Sequence, residues 1–266
     1  MRVAAVQMLP EVGNFEGNLS KIEHYTSLAI ENGVDVLVFP ELTISGYTWD
    51  EDVLKKAVLF FKDVAKKRLL RLSREGQIVL VVGTPREVFG KLRNSAVVFK
   101  KKRELLFYDK THLFREEKGV FEPGEHLLAF SYKGVVFGVL ICYELEFPEV
   151  SRVLTLKGSK ILLSPSAFWK AGEYPYDVVT RARALENGIF VVVASTCGKG
   201  SAEFVGRSRI VFPDGSVVKE IVEGEGLVFE DVDSDVVYRY RYEEENYPAL
   251  ISNLRKHLYT FEKGRI

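Results

Sequence analysis

Val135-Val136-Phe137-Gly138-Val139-Leu140-Ile141-Cys142-Tyr143-Glu144-Leu145-Glu146-Phe147-Pro148-Glu149 runs from an unbroken apolar stretch through a cysteine to a proline. An apolar run of strand length without alternation marks a strand covered on both faces. Proline suits the first position of a helix, where its missing N–H is not needed. The stretch therefore reads as buried strand, short turn and helix, with Cys142 where the strand ends.

The same grammar extends in both directions. Strands are expected at Val3–Gln7, Val36–Phe39, Ile78–Gly83, Ser95–Phe99, Leu105–Tyr108, Leu127–Ser131, Val135–Ile141, Lys160–Ser164, Phe190–Ala194, Arg207–Phe212 and Gly226–Glu230. Helices are expected from Phe15 to Asn32, capped by Asn14 and stopped by Gly33, from Glu51 to Arg74, from Pro148 onward, and from Tyr176 to Glu186. Such alternation implies an α/β protein with helices outside and sheet inside. With no linker-like or low-complexity stretch, residues 1–266 read as a single domain, ending in a Tyr- and Arg-rich tail from about Asp233.

Composition narrows the function classes. With 37 basic and 37 acidic side chains the formal charge is zero, so no strong footprint for nucleic acid or anionic lipid is expected. The basic run Lys100-Lys101-Lys102-Arg103 reads as a solvated turn between two strands. No apolar run approaches membrane-spanning length and the first residues form a strand pattern rather than a signal peptide, which predicts a cytoplasmic protein. Two cysteines and four histidines without C-x-x-C or H-x-x-x-H spacing argue against disulfides and structural zinc. Glutamine occurs only at positions 7 and 77 amid abundant Lys, Arg and Glu, a composition expected of a heat-adapted protein.

Three reactive side chains each stand just past a strand: Glu41, Lys110 and Cys142. In open α/β sheets the carboxyl ends of the strands floor the ligand site, so these side chains can converge. A cysteine attacks as thiolate and needs a base, a cation or a helix N-terminus nearby. Glu41 can take the proton, Lys110 can supply charge, and the helix starting at Pro148 can turn its positive end toward Cys142. His112, two residues from Lys110, would share its face in an extended segment and compete as base. Cys197 reads as a structural thiol.

These residues stand in motifs that resemble those of the nitrilase superfamily of carbon–nitrogen hydrolases, in its amidase-like branch, over nearly the whole chain. The similar stretches are Phe39-Pro40-Glu41-Leu42 with Gly46-Tyr47, Tyr108-Asp109-Lys110-Thr111-His112-Leu113-Phe114, Ile141-Cys142-Tyr143-Glu144 with Phe147-Pro148-Glu149, Ser164-Pro165-Ser166-Ala167, Arg181 to Asn187 and Gly206-Arg207-Ser208, in the family's order. The resemblance implies a four-layer α-β-β-α sandwich, dimerised through outer helices and C-terminal tails, with no metal and no organic cofactor. It implies Glu41 as base, Lys110 as oxyanion stabiliser, Cys142 as nucleophile, and a supporting glutamate for which Glu117 fits better than Glu116. Tyr47, Tyr143, Phe168 and Trp169 are the expected walls of a substrate pocket. Glu144 and Ser195 depart from the aspartate and asparagine usual in amidase-like members and are expected near that pocket. The implied function is hydrolysis of a small linear amide or N-carbamoyl compound with release of ammonia. Cleavage of a nitrile and a non-catalytic binding role are the alternatives.

Overall fold

Valines, leucines and alanines that alternate along the central strands give the first sheet two apolar faces, and the chain covers both. The computed structural model describes residues 1–100, 104–243, 249–255 and 258. Its first six-stranded sheet has the order β14 (Gly226–Asp231), β1 (Arg2–Gln7), β2 (Val36–Val38), β3 (Val79–Val88), β4 (Lys91–Lys100) and β5 (Glu104–Asp109). The second has the order β13 (Val217–Glu220), β12 (Arg209–Val211), β9 (Phe190–Ser195), β8 (Ile161–Ser166), β7 (Val135–Val139) and β6 (Leu128–Tyr132). In each, three central strands run parallel (β1-β2-β3 and β7-β8-β9) and the flanking strands are antiparallel. Residues β10 (Cys197–Lys199) and β11 (Glu203–Val205) form a separate hairpin.

Val3, Ala5, Val36, Val38, Val79 and Val81 face the second sheet, packed in one core with Phe137, Val139, Ile161 and Val191. Their neighbours Ala4, Val6, Leu37, Leu80 and Val82 turn the other way, against Leu19, Ile22 and Ala29 of α1 (Phe15–Glu31) and Phe61, Ala65 and Leu69 of the next helical stretch. That stretch comprises α2 (Glu51–Phe60), a π-helical turn over Phe61–Ala65, and α3 (Lys66–Glu75). On the far side, α4 (Pro148–Leu156) and α5 (Glu173–Asn187) cover the second sheet. The result is the four-layer α-β-β-α sandwich. Asn14 caps α1 by accepting from Gly17 N, and Pro148 stands at the start of α4, as the local signals require.

Several expectations need correction. The strand expected through Ile141 ends at Val139, leaving Leu140 and Ile141 as an irregular lead into Cys142. Arg207–Phe212 shrinks to Arg209–Val211, because Gly206 and Arg207 both adopt left-handed backbone conformations. β10, β11 and β13 carry too few apolar residues to register as strands. The tail from Asp233 begins as a helix, α6 (Ser234–Tyr242), capped by Asp233. Residues 244–248 of that tail, and Lys101 to Arg103 of the basic run, lie outside the described residues; Lys100 pairs with Glu104 at 2.8 Å. No helix among the described residues is long and apolar enough to cross a membrane.

Candidate active site

The carboxyl ends of β2 and β5 deliver two opposite charges into one dry space. Glu41 follows β2 in a loop that presses on β3: a Cβ at Gly83 would lie 2.3 Å from the Pro40 carbonyl oxygen and 2.6 Å from Leu42 N, so only glycine admits the loop here. Lys110 follows β5, its backbone N–H donating to the Asn94 carbonyl at 2.8 Å. Lys110 Nζ donates to Glu41 Oε1 at 2.7 Å and to Glu117 Oε1 at 2.9 Å. Asn94 Nδ2 donates to the same two oxygens, at 2.7 and 3.0 Å. Glu117 Oε2 accepts from Phe114 N at 2.6 Å, which fixes its carboxylate against the loop that bears it. All four side chains are buried, whereas Glu116 is exposed. Between the two adjacent glutamates, it is Glu117 that meets Lys110.

Electrostatics in this space depart from those in water. Burial drives the Glu41 carboxyl up to about 7, against the pull of Lys110 and with the push of the Glu117 charge. Burial would lower the Lys110 pKa, but the charges of Glu41 and Glu117 outweigh it and raise it, so the ammonium persists. Glu41 Oε2 is buried without a hydrogen-bond partner among the described residues. An unpaired carboxylate oxygen in a dry site is poised to take a proton.

Cys142 enters from the other sheet. It sits just past β7 with φ of +50°, a left-handed conformation uncommon for a residue with a side chain, and it opens a short 3₁₀ turn over Cys142–Glu146. Its Sγ accepts from Ala167 N at 3.5 Å. Burial, reinforced by the Glu41 charge, pushes the thiol pKa well above its usual value despite Lys110. The resting side chain is therefore a thiol rather than a thiolate. The expectation that α4 aims its N-terminus at Cys142 is not met directly: the 3₁₀ turn stands between them.

Cys142 lines a cavity of about 290 Å³ with Tyr47, Tyr143, Phe168 and Trp169, the four expected wall residues. Phe114, Arg115, Glu146 and Ala167, which were not among the expected wall residues, share the wall. Tyr47 is held by Trp49 and Phe204, and Phe114 packs against Tyr143 and Trp169, so the walls brace one another. A larger cavity of about 690 Å³, lined by Met1, Asp35, Lys133 and Asp231 among others, lies at the amino ends of the parallel strands and includes no cysteine.

Three further residues named from the sequence stand outside the cavity wall. Glu144 does not line the cavity; its Oε1 accepts from Tyr108 Oη at 2.6 Å and Thr111 N at 2.7 Å, and its Oε2 from Ile141 N at 2.7 Å. Burial would raise its pKa, but hydrogen bonds from His112, Thr111, Tyr108 and Ile141 hold it below the usual range. Glu144 thus clamps the Cys142 turn of one sheet to the Lys110 loop of the other. Ser195 is likewise absent from the cavity wall and buried in β9. His112 turns its Nδ1 to Thr111 Oγ1 at 2.8 Å and stacks on Phe147, and it lines a neighbouring hollow rather than the Cys142 cavity. Asn94 is the network member that sequence reasoning missed: it lies within β4 but one residue before the strand expected from Ser95, and no local signal marked it. Cys197 is buried apart from the Cys142 cavity.

Comparison with known proteins agrees with this geometry. The family model described as carbon-nitrogen hydrolase matches residues 2–242. A probable nitrilase of Schizosaccharomyces pombe is 29% identical, covering 99% of this chain and 95% of its own length. Omega-amidase NIT2 of Xenopus tropicalis is 30% identical, covering 99% and 98%. A solved mutant of the amidase from Nesterenkonia sp. AN1, which shows covalent addition of the acetamide moiety of fluoroacetamide at the active-site cysteine, is similar with a TM-score of 0.85 at 28% identity, covering 97% of this chain and 95% of that one. Two sheets facing each other, a cysteine at a strand end and a family match across most of the chain lead to one assignment: this chain is a carbon–nitrogen hydrolase of the nitrilase superfamily, in its amidase-like branch.

Proposed function

We propose that the chain hydrolyses a small linear amide, or an N-carbamoyl compound, through a thioester on Cys142, releasing ammonia. The observation that carries this reading is the buried Glu41–Lys110–Glu117 cluster set beside the cysteine of a small aromatic cavity. A cavity of about 290 Å³ suits a short acyl group rather than a polymer. The covalent adduct on the cysteine of the Nesterenkonia amidase supports the same nucleophile here.

Each step follows from the side chains. Cys142 Sγ forms a bond to the substrate carbonyl carbon as its proton passes to Glu41, whose pKa near 7 lets it accept and return protons at neutral pH. The oxyanion meets the Tyr143 backbone N–H and the Lys110 ammonium, which has a third N–H beyond the two given to the glutamates. Collapse breaks the C–N bond, and Glu41 returns its proton to the leaving nitrogen. Water then adds to the thioester while Glu41 removes its proton. The carboxylate, or the carbamate from an N-carbamoyl compound, departs, and the thiol is restored.

An ammonia-release screen over ω-amides, N-carbamoyl amines, aliphatic amides and nitriles, with Cys142→Ala as control, tests this reading. Release from an amide or N-carbamoyl compound that vanishes in Cys142→Ala is expected. Release from nitriles alone would move the assignment to nitrile hydrolysis. Unchanged release in Cys142→Ala would overturn the mechanism.

We also infer a homodimer joined through the outer helices. Val153 and Leu156 of α4, Val178 and Leu185 of α5, and Tyr238 and Tyr242 of α6 are large apolar side chains left exposed in the single chain. A stable pair would bury at least about 1,000 Å². Light scattering that finds monomer alone at micromolar concentration would contradict it.

A further inference from the structure

Asn94 touches both glutamates of the cluster, and its partners are asymmetric. Its Nδ2 donates to Glu41 Oε1 at 2.7 Å and to Glu117 Oε1 at 3.0 Å, which commits both hydrogens of the amide nitrogen. Its Oδ1 is buried without a hydrogen-bond partner among the described residues, so the donor end alone holds the side chain in place. The backbone carbonyl of the same residue accepts the Lys110 N–H at 2.8 Å. One strand position thereby anchors the lysine main chain and both carboxylates.

Lys110 by itself does not orient Glu41. The terminal torsion of a glutamate is broad and roughly two-fold, so a single ammonium can be met by either oxygen. With Asn94 and Lys110 both aimed at Oε1, that oxygen is doubly occupied, while Oε2 is buried and has no donor directed at it. A proton adds where no hydrogen already points.

We infer that Asn94 is a positioning residue for the hydrolysis: it locks the Glu41 carboxylate so that Oε2 is the oxygen that exchanges protons with Cys142 and water, and it ties Glu117 to Glu41 through a shared donor. This rests on the reading above, in which Glu41 is the proton shuttle. It also explains why Glu117 supports the site without bonding Glu41 itself.

The test is a pH profile of kcat/KM for ammonia release by Asn94→Leu and Asn94→Asp, alone and combined with Glu41→Gln. Leucine keeps the volume and removes the donor; aspartate keeps the shape and replaces the nitrogen with oxygen. The Leu variant should lose about 10- to 100-fold in kcat/KM, chiefly in kcat. Its acid limb should move to higher pH, because the lost hydrogen bond favoured the charged carboxylate. Asn94→Asp should shift the limb further, because its charge adds to the lost hydrogen bond, and the uncharged Asn94→Ala, too short to reach either glutamate, carries the test if the Leu variant fails to fold. Stoichiometric alkylation of Cys142 by iodoacetamide should persist in both. Adding Asn94→Leu to Glu41→Gln should cost much less than the two single losses multiplied, since the share of the Asn94 effect carried by Glu41 is already gone. A uniform loss across pH with an unshifted acid limb, or a double variant whose losses simply multiply, would overturn the role of Asn94. Near-normal turnover in Glu41→Gln would instead overturn the proton-shuttle reading on which it rests.

Discussion

Two lysine–carboxylate pairs occupy opposite ends of the sheets, and their carboxylates move in opposite directions. Lys133 pairs with Asp35 at the amino ends of the parallel strands, where half of the lysine side chain is exposed. Burial pushes Asp35 up, but the Lys133 hydrogen bond and the Arg2 backbone N–H outweigh it and hold the carboxyl below its usual range. At the carboxyl ends, Lys110 pairs with Glu41 at 2.7 Å with both side chains fully buried, yet Glu41 rises to about 7. The same pairing makes a settled anion at one end and, at the other, a carboxyl raised into the neutral range, as the proposed proton carrier requires. What separates them is desolvation, together with a second carboxylate crowded against the same ammonium.

The strongest way to break this comparison is to remove each lysine. Lys110→Met should abolish ammonia release and cost about 3–5 kcal/mol in denaturant unfolding, because two buried carboxylates lose their cation. Lys133→Met should leave turnover intact and change stability by less than about 1 kcal/mol. Equal effects at the two ends would refute the distinction.

Removing the carboxylates sharpens it. Glu41→Gln should reduce turnover by at least about 10²-fold, while Asp35→Asn leaves it unchanged. Glu117→Gln should also damage amide hydrolysis, with Cys142 still open to a small alkylating reagent detected by mass spectrometry. If Glu41→Gln stayed active while His112→Ala lost activity without unfolding, the base would be the histidine.

The most gradual effect is on stability against pH. Glu41 binds its proton more readily folded than unfolded, so it makes the protein less stable as pH rises from about 4.5 to about 7, with a slope of at most roughly 1.4 kcal/mol per pH unit. Glu41→Gln should remove that decline. Asp35 acts with the opposite sign: its folded pKa is depressed, so its contribution is present above about 3.8 and lost as pH falls through the folded value. Asp35→Asn should therefore cost stability at pH 5 and 8 and make little difference in acid, where the contribution is already lost. Melting curves at pH 3, 5 and 8 resolve the two, and an unchanged slope between pH 5 and 8 in Glu41→Gln would show that its carboxyl is not raised.

Much of the fold was legible because burial writes itself into local pattern. The unbroken runs of β7, β8 and β9 and the caps of α1 and α4 depend on residues within a few positions of one another. The short edge strands β10, β11 and β13 were not legible, since their pairing is set by partners elsewhere in the chain. In the site, Glu41, Lys110 and Cys142 stood out by their places past strand ends. Asn94 was hidden because an amide in a strand announces nothing until its neighbours are known. Glu144 was expected only near the pocket; that Tyr108, Thr111 and Ile141 hold its carboxylate outside the cavity wall depends on partners elsewhere in the chain.

The sequence by itself determined the α/β class, the order of its elements, the family, and which reactive side chains end which strands, because hydrophobic period and turn chemistry are local. Tertiary structure brought Glu117, which the sequence had only favoured over Glu116, onto Lys110, and it alone decided that His112 lines a different cavity from Cys142 and that the Glu41 carboxyl is raised to about 7. Those outcomes depend on how much water each group loses and on which donors arrive from the other strands, quantities that exist only once the two sheets have closed on each other.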